Sequence, residues 1–568
     1  MDDLTTSLAQ NLTTSLSPAD LQAAFSNDNN DDNDLGRAPP RMGFNTEPKL
    51  CQFILSRRNV TASVSLEIRP SGCSTGSGLF IARGEQDGIE AGREIYRSKP
   101  LMLAFDGAGG DGWCHFCGGY FEGYFGGEKG GVRVCSGCGV GRFCSKECQK
   151  LAWNRFHKEE CKVLKSTPGI KPQSLLAHRL VWFQQKGYIT TEQGAVIQGL
   201  EAHFDEYTRE EGGKTTEVYD VAMAIRDVTG EGREKKIDVG LIWKLVPQLW
   251  TNCVRLRGSS SRETVAFALE LVTAMINHSC EPNAFAFLEK GEIRVRSLKK
   301  IAAGEEITIC YIDPTVDVKS RREILMDEHF FECDCARCKD EIETQKRRVA
   351  ADGKTSMATV RQAQISMLDL IKSAAVTACK YPGVYSDFAN LTIVESTMNT
   401  IMKNAFPNFG WGDDLDPVPM VRLCLSVLYL EQGKPAPALR NGLRGYFARR
   451  GGRTDPNAVN ILIDIIHVLI AASCLPPDSP VLKDASFPLR VDISNVMYWY
   501  LYKACKEAGE VFGDDCEYTK AIGDLFAKMM ARLPAGASRP PEDDFMEELE
   551  DSLRRVVEWA GVWVYEGA

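Results

Sequence analysis

Between residues 114 and 161 the chain carries four consecutive pairs of metal-ligating side chains: Cys114-x2-Cys117, Cys135-x2-Cys138, Cys144-x3-Cys148 and His157-x3-Cys161. An x2 pair lets two thiolates bite one tetrahedral Zn²⁺ from a tight turn. An x3 pair puts its members at i and i+4, on one face of a helix. Eight ligands fill two closed sites and leave no position for water, so the sites read as structural and not catalytic. The surrounding sequence is polar and Gly-rich, with glycines at 126, 127, 130, 131, 137, 139 and 141, and builds no core alone. Metal binding must then supply most of the local folding free energy, on the order of 10 kcal/mol per site. The competing reading is a cluster of unliganded buried cysteines. His115, beside Cys114, breaks the pattern and reads as an ordinary exposed histidine.

A second ligand set follows. Cys333-x-Cys335-x2-Cys338 offers three thiolates on one short loop, which leaves a tetrahedral zinc incomplete. Cys280, within Asn277-His278-Ser279-Cys280-Glu281-Pro282-Asn283, is the economical remote fourth. Of the 20 cysteines, these clusters take most of the patterned ones, and the rest are scattered. The chain opens on Asp2 and Asp3 without an apolar leader, so the expected setting is a reducing compartment, nucleus and/or cytoplasm. The apolar run Val459–Leu475 is interrupted by Asn460, Asp464 and His467 and reads as a buried helix, so no membrane partner is expected.

Residues 1–48 are rich in Ser, Thr, Asn and Asp and read as a disordered acidic tail. Alternation at Val64, Leu66 and Ile68, and the stretches 76–82 and 94–103, give strands ahead of the metal run. Helical patterns dominate 174–253, strands return at 284–287, 292–296 and 306–312, and the chain is helical after about 341, in six or seven helices. A net charge of −10 argues against a chain devoted to nucleic acid. Residues 129–165 are nonetheless basic, which is either a solvated face or a weak contact with nucleic acid or an acidic partner.

The order of pairs, with Ala152-Trp153-Asn154-Arg155-Phe156-His157 ahead of Cys161, resembles the MYND zinc finger. That resemblance implies interleaved sites: Cys114, Cys117, Cys144 and Cys148 on one zinc, and Cys135, Cys138, His157 and Cys161 on the other. Asn277-His278-Ser279-Cys280-x-Pro282-Asn283, Gly304-Glu305-Glu306-Ile307 with Tyr311, and the late cysteine triplet together resemble the SET domain and its post-SET zinc loop. A finger inside such a domain is similar to the SET and MYND domain-containing lysine methyltransferases. The implied fold is α+β and multidomain: a β-rich SET domain interrupted by a two-zinc finger, then an all-α, tetratricopeptide-like C-terminal domain. The implied segments are an N-terminal SET part (49–113), the finger (114–161), a helical insertion (162–275), the SET core with its zinc loop (276–340) and the helical domain (341–568).

The family's chemistry would be S-adenosylmethionine-dependent methylation of a lysine in a protein substrate, supported by three structural zincs, the third held by Cys280, Cys333, Cys335 and Cys338. By resemblance, Gly76, Ser77 and Gly78 form the turn over the cofactor. Asn277 and His278 would hold its two ends, Asn252 would add a contact, and Phe331 would lie near the adenine. Tyr311 is the catalytic candidate, at the methyl-transfer axis and touching the cofactor. Many relatives carry Asn where this chain has Ser77, and a tyrosine where it has His329. The alternative function is a non-catalytic MYND/SET scaffold in transcriptional regulation, its finger recruiting proline-rich peptides.

Overall fold

The computed structural model describes residues 48–562, apart from 58–59, 73–75, 86, 108–109, 126–129, 168, 210–212, 231–238, 262, 381–390, 409, 449–455, 485 and 534–537. The acidic tail expected at 1–48 lies almost wholly outside the described residues.

A seven-stranded sheet forms the first core. Its order is Val60–Ala62, Glu94–Ser98, Glu292–Ser297, Ala284–Glu289, Val254–Gly258, Ala266–Leu269 and Met102–Phe105. Strands from before the finger therefore close both edges of a sheet whose centre comes from after it. All pairs are antiparallel except Val254–Gly258 with Ala284–Glu289. The segment 162–275, expected to be a helical insertion, ends instead in two of these strands. Val254-Arg255-Leu256-Arg257 does alternate, but the preceding helical run masks so short a period-2 signal.

The strand Glu292–Ser297 shows how the sheet serves two layers. Ile293 and Val295 are buried in the β core, whereas Arg294 pairs with Glu94 at 2.6 Å and with Asp515 of the helical region at 2.8 Å. Its neighbour strand sends Phe287 the same way, where Phe285 and Phe287 stack at 5.0 Å and both meet Phe512 edge-on. Alternation along two strands thus fixes where the helices dock.

From Ala336–Asp352 onward the described residues contain ten helices and no strand, more than the six or seven the sequence suggests after about residue 341. Helix pairs such as Val418–Glu431 and Pro435–Phe447 fold back on one another through three-residue turns. Pro456–Ser473 is long and apolar enough to cross a membrane, yet it packs in the middle of this helical core, as its interrupted pattern suggests.

The finger is anchored to the sheet side by a buried pair. Glu160 of helix Lys158–Ser166 accepts from Arg179 of helix Pro172–Gln185 at 2.8 Å, and that guanidinium lies 4.0 Å over the Phe156 ring. His115 is not an exposed histidine. Its ring stacks on Phe105 at 4.9 Å, nearly parallel, and burial pushes its pKa down to about 3. The aromatic at the end of the edge strand claims it, a contact invisible in the local sequence.

Candidate functional site

The twelve metal-ligand candidates gather into three tetrads, Cys114/Cys117/Cys144/Cys148, Cys135/Cys138/His157/Cys161 and Cys280/Cys333/Cys335/Cys338. Within each, the ligand atoms lie within 4.8 Å of one another. Tetrahedral Zn–S bonds of about 2.3 Å put sulfurs roughly 3.8 Å apart. Here Cys117 and Cys144 sulfurs are 3.9 Å apart, Cys135 and Cys161 4.0 Å, and Cys138 Sγ lies 3.8 Å from His157 Nε2. The donor sets and spacings therefore suit zinc, in the interleaved pairing expected. Ser145 caps the helix Lys146–Ala152 by accepting from the Cys148 N–H, so Cys144 precedes that helix while Cys148 lies in its first turn. A Cβ on Gly141 would stand 2.7 Å from His157 Cε1, so only glycine lets the chain pass this ligand.

Three guanidiniums brace the third tetrad. Arg337 donates to the carbonyl of Cys280 at 3.1 Å, Arg322 to that of Cys333 at 3.1 Å, and buried Arg321 lies 3.8 Å from the Cys338 sulfur. Four thiolates around a divalent ion carry net negative charge, which these cations offset.

Beside that tetrad, Asn277–His278 pairs in parallel with Thr308–Ile309. The pairing sets Tyr311 next to His278, and the two rings lie 5.3 Å apart. Tyr311 N–H donates to His278 Nδ1 at 3.0 Å, so the imidazole proton sits on Nε2, which faces Cys280 Sγ at 3.2 Å. One ring therefore links the metal cluster to the backbone of Tyr311. The Tyr311 phenol donates to the buried Ile276 carbonyl at 2.6 Å. Burial, and then Glu306, raise its pKa, so it stays protonated. With its proton committed, the oxygen offers lone pairs to its surroundings.

Asn277 spends both amide hydrogens internally, on the Ser77 carbonyl at 3.0 Å and on Glu306 Oε1 at 2.7 Å. Glu306 also accepts from the Ser71 hydroxyl. Together they pin the turn 76–78 onto the core. Gly78 is part of that joint, since a Cβ there would fall 2.2 Å from Glu306 Oε1. Asn252 likewise donates to the carbonyls of Glu201 at 2.5 Å and Gln248 at 2.8 Å. The sequence reading has these amides reaching toward a cofactor. In the structure their N–H groups are taken up by backbone carbonyls and, for Asn277, by the Glu306 carboxylate as well, which leaves acceptor oxygens and main-chain groups for a ligand.

Gly76, Ser77, Asn252, Asn277, His278, Tyr311, His329 and Phe331 line one cavity of about 1010 Å³. Gly78 does not line it and acts beneath it. Phe331 lies 5.7 Å from the His278 ring and His329 4.9 Å from that of Tyr311. Burial, then Arg255, push the His329 pKa down to about 3, so this imidazole is neutral. Across Tyr311 opens a second cleft, of about 1360 Å³, between the sheet and the helices. Tyr311, with Ile309 and Arg255, lines both.

Two family models match this chain: the SET domain over residues 141–312 and the MYND finger over residues 114–161. The chain belongs to the SET and MYND domain family. It is 30% identical over 257 residues to human "Histone-lysine N-methyltransferase SMYD3", covering 44% of this chain and 57% of that protein. It is 28% identical over 308 residues to "SET domain and MYND-type zinc finger protein 6" of Schizosaccharomyces pombe, covering 54% and 58%. To "Histone-lysine N-methyltransferase ASHR1" of Arabidopsis thaliana it is 26% identical over 274 residues, covering 46% and 53%. The chain thus aligns with a little over half the length of these relatives.

Within this SET and MYND fold, the residues that sequence reasoning left without a role are structural clamps. Asn283, last of the Asn277–Asn283 motif, accepts from Thr308 N–H at 2.8 Å and donates to the Glu306 carbonyl at 2.8 Å. Glu270, fully buried, binds Arg57 at 2.9 Å and caps the turn at Val272–Thr273 that leads into the cavity wall. Glu306 and Asn283 stand inside recognisable motifs. Glu270 is harder to read, because beyond the turn it caps, its partners Arg57 and Ser98 come from distant segments.

Proposed function

We propose that this protein is an S-adenosylmethionine-dependent protein-lysine N-methyltransferase. The observation that supports it most is the position of Tyr311, whose side chain borders two hollows at once. One is sized and lined for the methyl donor, and the other is open to a peptide. The first cavity lies at the upper end of the range for small-molecule sites. Its glycine-built turn and spare acceptor oxygens fit a ligand with an adenine amine and a cationic amino-acid end.

When bound, S-adenosylmethionine supplies a methyl group on a cationic sulfur. Gly76, Ser77, Asn252, Asn277, His278 and Phe331 would hold it, chiefly through main-chain groups and acceptor oxygens. The chain's task is then alignment and exclusion of water. The Tyr311 oxygen, its proton held by Ile276, accepts from the substrate amine and fixes the direction of its lone pair. The buried surroundings disfavour a charged lysine, which shifts the substrate toward the attacking neutral amine. Because His329 is neutral, it adds no positive charge beside the nitrogen, which becomes cationic as it takes the methyl group. No covalent intermediate forms on the protein. The histone-lysine methyltransferases among the relatives make a histone lysine one candidate substrate, and a lysine of a non-histone protein is the other.

Calorimetric titration with S-adenosylmethionine, followed by transfer of a labelled methyl to protein acceptors, tests this. Saturable binding and lysine labelling are expected, whereas a non-catalytic scaffold binds no donor. As a separate role, the finger would recruit proline-rich peptides, a reading supported by large apolar side chains left exposed on it: Val134, Leu151 and Trp153.

A further inference from the structure

One wall of the donor cavity belongs to the finger. Phe156, His157, Glu160 and Arg179 line the same hollow as Asn277 and Tyr311. Glu160 stands between His157 and Cys161, two ligands of the second finger tetrad, on one continuous helical stretch. Both its carboxylate oxygens accept from Arg179, one from Nε and the other from Nη2 at 2.8 Å. The two side chains are 2% and 6% exposed, and among the described residues this is the one buried ion pair that joins the finger to helix Pro172–Gln185. A metal on His157 and Cys161 would hold the carboxylate from both sides, and the carboxylate holds the guanidinium.

Arg179 passes that constraint toward Tyr311. Its Nη1 donates to the carbonyl of Leu103, which pairs with Ala268 across strands Met102–Phe105 and Ala266–Leu269. The second strand runs into Glu270, whose carboxylate accepts from the N–H groups of Val272 and Thr273. Ile276 follows, its carbonyl holding the Tyr311 phenol at 2.6 Å, and then Asn277. Breaking one side of a buried ion pair strands the other charge, so finger and strand pair move together or not at all. We infer that the Glu160–Arg179 pair couples the finger's second metal to the donor cavity, so that metal and donor each bind more tightly when the other is present. Such coupling is reciprocal by thermodynamic necessity. The inference rests on the methyltransferase reading for the donor, and it makes Glu160 and Arg179 positioning residues.

The test uses the full zinc-loaded chain, a chelator raised stepwise and a thiol-alkylating agent, with and without saturating S-adenosylmethionine. Mass spectrometry reads metal loss at the second tetrad as modification of Cys135, Cys138 and Cys161. The donor should raise the chelator concentration needed there about fivefold or more. E160Q, which keeps the shape and removes the charge, should abolish that shift. R179K should shrink it, because an ammonium cannot serve both Glu160 oxygens and the Leu103 carbonyl with a guanidinium's fork. Equal chelator concentrations with and without donor overturn the inference, and so does a shift that persists in E160Q. If E160Q does not fold, R179K and the wild-type comparison decide. Calorimetry on the same sample separates the two readings. Absence of donor binding removes the enzymatic reading and this inference with it, whereas binding without protection removes this inference alone.

Discussion

Replacing His278 with alanine tests whether the third metal cluster and Tyr311 are one mechanical unit. The ring makes two bonds at once, accepting from the Tyr311 N–H at 3.0 Å and directing Nε2–H to Cys280 Sγ at 3.2 Å. Removing it leaves a half-buried N–H without its partner, at about 1–3 kcal/mol. It also strips the Cys280 thiolate of an outer-shell donor, and loss of such a partner lowers metal affinity by roughly 10–100-fold. In energy that is about 1.4–2.7 kcal/mol. The two losses are comparable, so neither hides the other. Competition with a chromophoric zinc chelator reads the second directly. Wild-type protein should release its zinc in the order set by three intact sites. His278→Ala should surrender one equivalent at 10–100-fold lower chelator concentration and keep the two finger zincs, whose ligands His278 does not touch. Unchanged release of all three equivalents would refute the reasoning, and so would early release of the finger zincs.

Other consequences follow from the same geometry. Gly78→Ala forces a methyl to within 2.2 Å of Glu306 Oε1, so the Glu306–Asn277 joint must open. It should cost about 1–3 kcal/mol in thermal unfolding and weaken donor binding in calorimetry, and wild-type values for both would contradict the pinned turn. His329 should make stability depend on pH. Its folded pKa of about 3 lies below the unfolded value of about 6.5, so the unfolded chain takes the proton first. Its contribution is complete above about pH 6.5 and is lost as pH falls toward 3, by roughly 1–2 kcal/mol between pH 6.5 and 5. Denaturant titrations of His329→Asn should show a shallower acid-side decline over that interval, and equal slopes would disprove it.

What the sequence discloses depends on the range of the interaction. The finger's ligand pairs are legible from their x2 and x3 spacings and their interleaving only from the resemblance to the MYND finger, whereas the third tetrad is legible because three ligands on one loop demand a fourth. Strand character at 284–297 is legible from alternation, although Arg294 and Arg296 face a second layer that only the helices reveal. The direction of the site amides is not legible. Asn277 finds Ser77 two hundred residues away, and nothing local says whether its donors face a ligand or the backbone. The same holds for His115, claimed by Phe105. Helix number is under-read because apolar residues on both sides of a packed helical layer blur the 3.6-residue period.

Tyr311→Phe bears most directly on the central claim. The substitution keeps the ring against His278 and His329 and removes only the oxygen held by Ile276. Affinity for S-adenosylmethionine, by calorimetry, should stay within about twofold, while methyl transfer in single turnover should fall about 100-fold or more. Full transfer by the phenylalanine enzyme would contradict the assignment of that oxygen to the reaction.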